Sequence, residues 1–267
     1  MNLLPRLKTV LFNSSRHEPE ESVSGGHFLF LRSLSFTLIW GTFTPLWACF
    51  CFMTCWLPYR KRYYITSRWN VFTIWLLKSL CGVQYQIKGM EHLPEGPVIL
   101  LSKHQSAWET IFLLANMPSP LSFVLKKELL YIPFFGWALG LLRMIPIDRN
   151  QGTNAFRQLV RKGSQRLKEG QWIIIFPEGT RIPVGEKGKY HNGGSRLAIK
   201  TGAKVVPIAL NAGECWPKGS FIKKPGMITV SIGKAISPAN RTPDDLTQEV
   251  EDWIESEMRN ISPDIYR

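Results

Sequence analysis

The chain has 267 residues, 45% of them hydrophobic, and carries 33 Lys and Arg against 20 Asp and Glu, a formal charge of +13. That length suits one sizeable α/β domain with an attachment, and the charge calls for an anionic partner: nucleic acid, an acidic membrane surface or a phosphorylated substrate. Five cysteines, with Cys49, Cys51 and Cys55 inside one apolar stretch, argue against a disulfide framework, and the absence of CxxC, HExxH or any His/Cys cluster with ligand spacing predicts no metal.

Residues 1–27 mix charge, Ser and Gly and read as a polar N-terminal arm with no assigned function. Residues 28–82 read as a membrane-associated helical segment. Their 24-residue run LSFTLIWGTFTPLWACFCFMTCWL is uncharged and would extend about 36 Å as a helix, more than the roughly 30 Å of a hydrocarbon core. Pro45 predicts a break or kink near the middle of that helix. A second apolar stretch, WNVFTIWLLKSLCG, follows, so a hairpin lying partly in one leaflet fits as well as a full crossing. Between them Arg60, Lys61 and Arg62 place this flank, and the domain after it, on the cytoplasmic face, the inner membrane in a bacterium.

Residues 83–267 change texture to short β-rich runs separated by helical ones: VQYQIKG, PVILLSK, LSFVLK, WIIIFPE, VVPIAL and MITVSIG. Continuous apolar runs such as WIIIF suit strands buried on both faces, so the fold class is α/β with a sheet covered by helices. Thr153 to Glu169 has Phe156, Leu159, Val160 and Leu167 at helical spacing, closed by Gly170. Arg157, Arg161, Lys162, Arg166 and Lys168 on it read as a solvated basic face rather than a nucleic-acid surface. From residue 241 onward eight acidic residues oppose three basic ones. Thr242, Pro243 and Asp245 there start a terminal helix whose apolar stripe is Leu246, Val250, Trp253, Ile254 and Met258.

Two short stretches carry candidate chemistry. SKHQSAWET puts His104 in a strand-to-helix turn, the edge where open α/β sheets place ligand sites. Glu109, five residues on, has two readings: the far end of a Ser106 capping box, or a carboxylate that fixes the imidazole tautomer and makes the pair a general base for a hydroxyl. In IIIFPEGTR a buried strand ends in a turn where Gly179 permits close approach to the backbone and Arg181 offers a planar fork of donors suited to phosphate. No G-x-S-x-G turn supports a serine hydrolase.

Taken together and in order, SKHQSAWE, LKKELLYIPFFGWALGLLRMIPIDR, FPEGTR and VVPIAL resemble the glycerophospholipid acyltransferases, specifically the 1-acyl-sn-glycerol-3-phosphate acyltransferases, over about residues 80–235. The resemblance implies a mixed, largely parallel sheet and an enzyme that moves a fatty acyl group from acyl-CoA or acyl carrier protein to the sn-2 hydroxyl of lysophosphatidic acid. No cofactor is implied. His104 matches the base, Glu109 stands where the family usually has Asp, and Lys126 matches a lysine near the reacting carbonyl, with Lys127 as its rival. Arg149 and Arg181 match positions that bind the acceptor's phosphate, together with Glu178, Gly179 and Thr180 of the same turn, while Asp148 reads as a structural partner. Val206, Pro207 and Ile208 match an apolar fourth motif that suits strand packing or the path of the acyl chain. The implied partners are the two lipid substrates and a membrane surface, with no nucleic acid. Two other readings stand beside this one: acylation of another lyso-lipid, such as a lyso-ornithine lipid, and an inactive membrane-tethered protein that binds anionic lipid.

Overall fold

A computed structural model describes residues 21–148 and 151–266. Arg149 and most of the polar N-terminal arm lie outside the described residues.

Two long helices come first, α1 (Glu21–Phe52) and α2 (Tyr59–Cys81), packed on each other as a hairpin. Pro45 does not break α1, whose helical assignment runs through it. Indole and threonine groups from both helices clasp the region: Trp40 Nε1 donates to Thr73 Oγ1, Trp69 Nε1 to Thr44 Oγ1, and Trp47 Nε1 to the Thr66 carbonyl. These contacts hold the axis on either side of the missing N–H.

The sheet follows: β1 (Val83–Lys88), β2 (Ile99–Ser102), β3 (Leu121–Lys126), β4 (Ile145–Ile147), β5 (Trp172–Ile175), β6 (Val205–Leu210) and β7 (Gly226–Ile232). The spatial order is β1-β7-β6-β2-β5-β3-β4. Every pairing is parallel except β6 with β7. The remaining helices are α3 (Trp108–Asn116), α4 (Phe135–Leu141), α5 (Thr153–Lys168), α6 (Gly193–Thr201), the single turn α7 (Ala212–Cys215) and α8 (Pro243–Ile261). β4 is a strand the sequence reading did not separate from its motif.

The apolar runs are continuous because both faces of the sheet are covered. Ile99, Leu101, Ile173 and Ile175 point to one core, where α5, α6 and α8 pack, while Leu100 and Ile174 between them point to the other, beneath α2 and α3. Ile173 and Ile174 are wholly buried, each worth roughly 1.5–3 kcal/mol against exposure. The second core also takes in Tyr63, Leu76 and Leu77 of α2 and Phe36 of α1. The boundary drawn at residue 82 therefore divides the chain in sequence but not in packing: α2 is a layer of the α/β domain.

The outer face of the hairpin is different. Phe28, Leu31, Leu38, Leu46, Met53 and Trp56 are exposed, and beside them Tyr131, Ile132 and Trp137 of the α4 region extend the same apolar surface, with Phe52 in edge contact with Trp137. Among the described residues one helix, over Gly26–Phe52, is long and apolar enough to cross a membrane.

On the opposite side of the sheet the basic helix α5 is only partly solvated. Lys162 Nζ donates to the Pro146 carbonyl, and Arg166 donates to the Arg143 carbonyl and pairs with Glu169. In α8 the Thr242 hydroxyl accepts the Asp245 N–H, and Leu246, Val250, Ile254 and Met258 are buried; Trp253 is only partly so.

Candidate active site

The candidate residues converge because β2, β5, β3 and β4 are parallel neighbours, so the segments leaving their carboxyl ends meet along one edge. His104 leaves β2, Phe176 to Arg181 leave β5, Lys126 ends β3, and Asp148 follows β4.

His104 is fixed by four contacts. Its backbone N–H donates to Glu178 Oε2 at 2.8 Å and its carbonyl accepts the Ile182 N–H at 2.8 Å. Its ring stacks on Phe176 with centroids 3.8 Å apart and planes 14° from parallel. Its Nδ1 lies 2.7 Å from Glu109 Oε1. Three of the four come from the β5 turn, which explains why the two stretches belong together.

Glu109 reaches back to the Ser106 backbone and also meets the ring, but the Ser106 capping box does not close: the N-cap residue of α3 is Ala107, and the Ser106 hydroxyl accepts the Trp108 N–H. Glu109 Oε1 accepts the backbone N–H groups of Gln105 and Ser106, each at 2.7 Å, as well as the imidazole. An oxygen that accepts two N–H donors is an acceptor toward the ring too, so Nδ1 carries a proton and Nε2 is the ring nitrogen left for a ligand. The side chain of Glu109 is fully buried and that of His104 is 13% exposed, so the free nitrogen belongs to the only part of the pair open to a ligand.

Glu178 requires a correction. It was expected to touch substrate, yet its side chain is fully buried, 2.8 Å from Lys103 Nζ through Oε1 and bound to the His104 N–H through Oε2. Enclosed in this way it holds the turn that carries His104. Lys103 was not singled out from the sequence, although a lysine closing the wholly apolar strand ILLS has to find a buried partner. Burial acts to lower its pKa, but Glu178 and Glu255 outweigh that and hold it above the ordinary lysine value, so Lys103 is an ammonium ion.

The rest of the turn stays open. Gly179 has φ +68°, a backbone conformation that favours glycine, Thr180 is exposed, and Arg181 is half-buried and forms no ion pair among the described residues. Of the two rival lysines, Lys127 is bound to Asp148 Oδ2 at 2.5 Å, which gives Asp148 a structural partner. Lys126 is exposed and only loosely near Glu128, at 3.9 Å. Val206, Pro207 and Ile208 are buried in β6 and serve strand packing.

The site is thus an α/β sheet with a carboxylate-oriented histidine at its carboxyl edge, and a neighbouring turn whose Arg181 has no ion pair among the described residues. The comparisons with known proteins place it further. A family model described as an acyltransferase matches residues 84–211. The chain is 44% identical to a 1-acyl-sn-glycerol-3-phosphate acyltransferase of Pseudomonas aeruginosa, over 98% of this chain and 95% of that protein. A chloroplastic protein of Arabidopsis thaliana bearing the same enzyme name is 31% identical over 67% of this chain, which spans 50% of that relative. In fold, the crystal structure of the 1-acyl-sn-glycerophosphate acyltransferase of Thermotoga maritima matches with a TM-score of 0.74 over 87% of this chain and 95% of that one, at 22% identity. The chain belongs to the 1-acyl-sn-glycerol-3-phosphate acyltransferase family.

Proposed function

We propose that the protein transfers a fatty acyl group from an acyl thioester to the sn-2 hydroxyl of 1-acyl-sn-glycerol-3-phosphate, giving phosphatidic acid and a free thiol. The observation that carries this is the contact between His104 Nδ1 and Glu109 Oε1, which leaves Nε2 as the base. Nε2 takes the hydroxyl proton as the oxygen attacks the thioester carbonyl. The negative charge that develops on the carbonyl oxygen is met by Lys126, whose ammonium is otherwise almost unengaged. Collapse of the tetrahedral intermediate breaks the carbon–sulfur bond, and the imidazolium returns its proton to the departing thiolate. Glu109 balances the transient imidazolium charge. No covalent enzyme intermediate and no cofactor enter.

Arg181, with Arg149 from the sequence reading, holds the acceptor's phosphate, a role suited to a guanidinium that no carboxylate among the described residues neutralises. The hairpin rests against a bilayer through its exposed apolar face, so that the acceptor's acyl chain stays in lipid while its head group reaches the site. The basic residues Arg60, Lys61 and Arg62 put this contact on an anionic, cytoplasmic leaflet.

The test is to incubate purified enzyme in phospholipid vesicles with lysophosphatidic acid and either palmitoyl-CoA or palmitoyl acyl carrier protein. The expected result is release of thiol in step with formation of phosphatidic acid. Thiol release without phosphatidic acid, or neither product with both donors, contradicts the reading.

A further inference from the structure

The turn that carries His104 is anchored in a part of the chain beyond residues 84–211, the segment matched by the family model. Lys103, just before the base, is fully buried: Nζ donates to Glu255 Oε1 at 2.7 Å and to the Glu186 carbonyl at 3.4 Å, and forms an ion pair with Glu178 Oε1 at 2.8 Å. Glu255 is on α8 and is itself held by Tyr190, whose hydroxyl donates to the same oxygen at 2.8 Å. Gln105, just after the base, is also buried; its Nε2 donates to the hydroxyl of Tyr266, and its Oε1 accepts the Gly213 N–H at 3.3 Å. The residues on both sides of His104 therefore end on side chains at 255 and 266, more than 150 positions away in sequence.

A general base works only within hydrogen-bond reach of the proton it takes, roughly 2.6–3.2 Å, so small displacements of the turn matter to the rate. A buried ammonium can occupy only the place its acceptors define, and a buried amide is oriented by its partners in the same way. Of the four contacts on His104 itself, none comes from residues 255 or 266, so they act through its neighbours.

We propose that Glu255 and Tyr266 are positioning residues for the transfer reaction, holding Lys103 and Gln105 so that the imidazole keeps both its contact with Glu109 and its reach to the hydroxyl. The inference rests on His104 being the base. It predicts that the C-terminal element governs turnover rather than substrate affinity, since neither residue adjoins the open turn from Gly179 to Arg181.

The test uses the near-isosteric variants Glu255→Gln and Tyr266→Phe, singly and together, in the full chain, assayed with lysophosphatidic acid and palmitoyl-CoA beside a thermal melt. In the double variant kcat is expected to fall about tenfold, with both KM values unchanged within about twofold. On a His104→Ala background the same two changes should cause no further loss, because there is no ring left to position. A double variant with kcat within about twofold of the parent overturns the inference, as does an equal loss on the His104→Ala background, which would mark general damage. If the double variant does not fold, Tyr266→Phe alone is read by the same two criteria. A fully active His104→Ala would instead overturn the reading of the base on which this one stands.

Discussion

His104 and Glu109 meet at 2.7 Å at the start of α3, on a carboxylate oxygen that also receives the backbone N–H groups of Gln105 and Ser106 from the segment just before the helix. The longer arm of glutamate, where the family resemblance leads one to expect aspartate, is taken up by this double duty: it folds back onto the two N–H groups ahead of the helix and reaches the ring. The consequence is an imidazole whose orientation is set by the same carboxylate that gathers the backbone ahead of α3.

Glu109→Gln separates the two duties. The amide oxygen can still accept the backbone donors, so the helix start survives and stability drops by only about 1 kcal/mol. The charge that balances the imidazolium is lost, so kcat should fall about tenfold or more while KM for the acceptor stays put. Glu109→Asp should fall between the parent and Glu109→Gln. Steady-state kinetics on the three proteins checks the order.

Lys103→Met leaves Glu178 and Glu255 facing one another in a closed site without a counter-ion. Breaking a buried pair by removing one partner typically costs about 3–5 kcal/mol, and a thermal melt should show it. The sign with pH follows from the direction of the shift. The folded-state pKa of Lys103 lies above 10.5, so its contribution is fully present below 10.5 and is lost as pH rises through the higher folded value. The gap in melting temperature between parent and variant should narrow in strong alkali, where the parent loses its ammonium, and also in acid, where protonation of the facing carboxylates relieves the variant.

Arg181→Ala should raise KM for lysophosphatidic acid about 10-fold to 100-fold, the value of a charge-assisted hydrogen bond or two, with a small change in kcat. A lyso-ornithine lipid, which has no phosphate, should be little affected in the same assay. Equal losses on both acceptors would show that Arg181 shapes the turn rather than reading the phosphate.

Cys49 and Cys55 are exposed on α1 and the turn after it, whereas Cys51, Cys81 and Cys215 are buried, and burial pushes the Cys215 thiol up to about 11. A polar maleimide at neutral pH should therefore leave Cys215 untouched in folded enzyme. If the hairpin lies in lipid as proposed, Cys49 and Cys55 should label far more slowly in vesicles than after denaturation, as read by mass spectrometry. Fast labelling of both in vesicles would place that face in water.

The parts of this structure legible in the sequence are those with short-range signatures. The buried strands announce themselves as runs such as WIIIF, and the histidine and its carboxylate lie five residues apart. β4 was hidden because Ile145–Ile147 is three residues long and includes a proline. No break occurs at Pro45, where α1 is clasped to α2 by hydrogen bonds from tryptophans to threonines of the facing helix, contacts that no local rule contains. Glu178 was assigned to the substrate because its motif is a turn; its true partner, Lys103, is 75 residues away and is reached only because β2 and β5 are neighbours. The anchoring of Lys103 and Gln105 on residues 255 and 266 is longer-ranged still, and nothing near those residues signals it.

The turnover number of purified His104→Ala with lysophosphatidic acid and palmitoyl-CoA tests the central claim most directly. A fall of about 100-fold to 10,000-fold, with a melting temperature close to the parent's, is the expected result. A folded variant that kept more than about a tenth of the parent's activity would contradict the assignment of the base and the mechanism built on it.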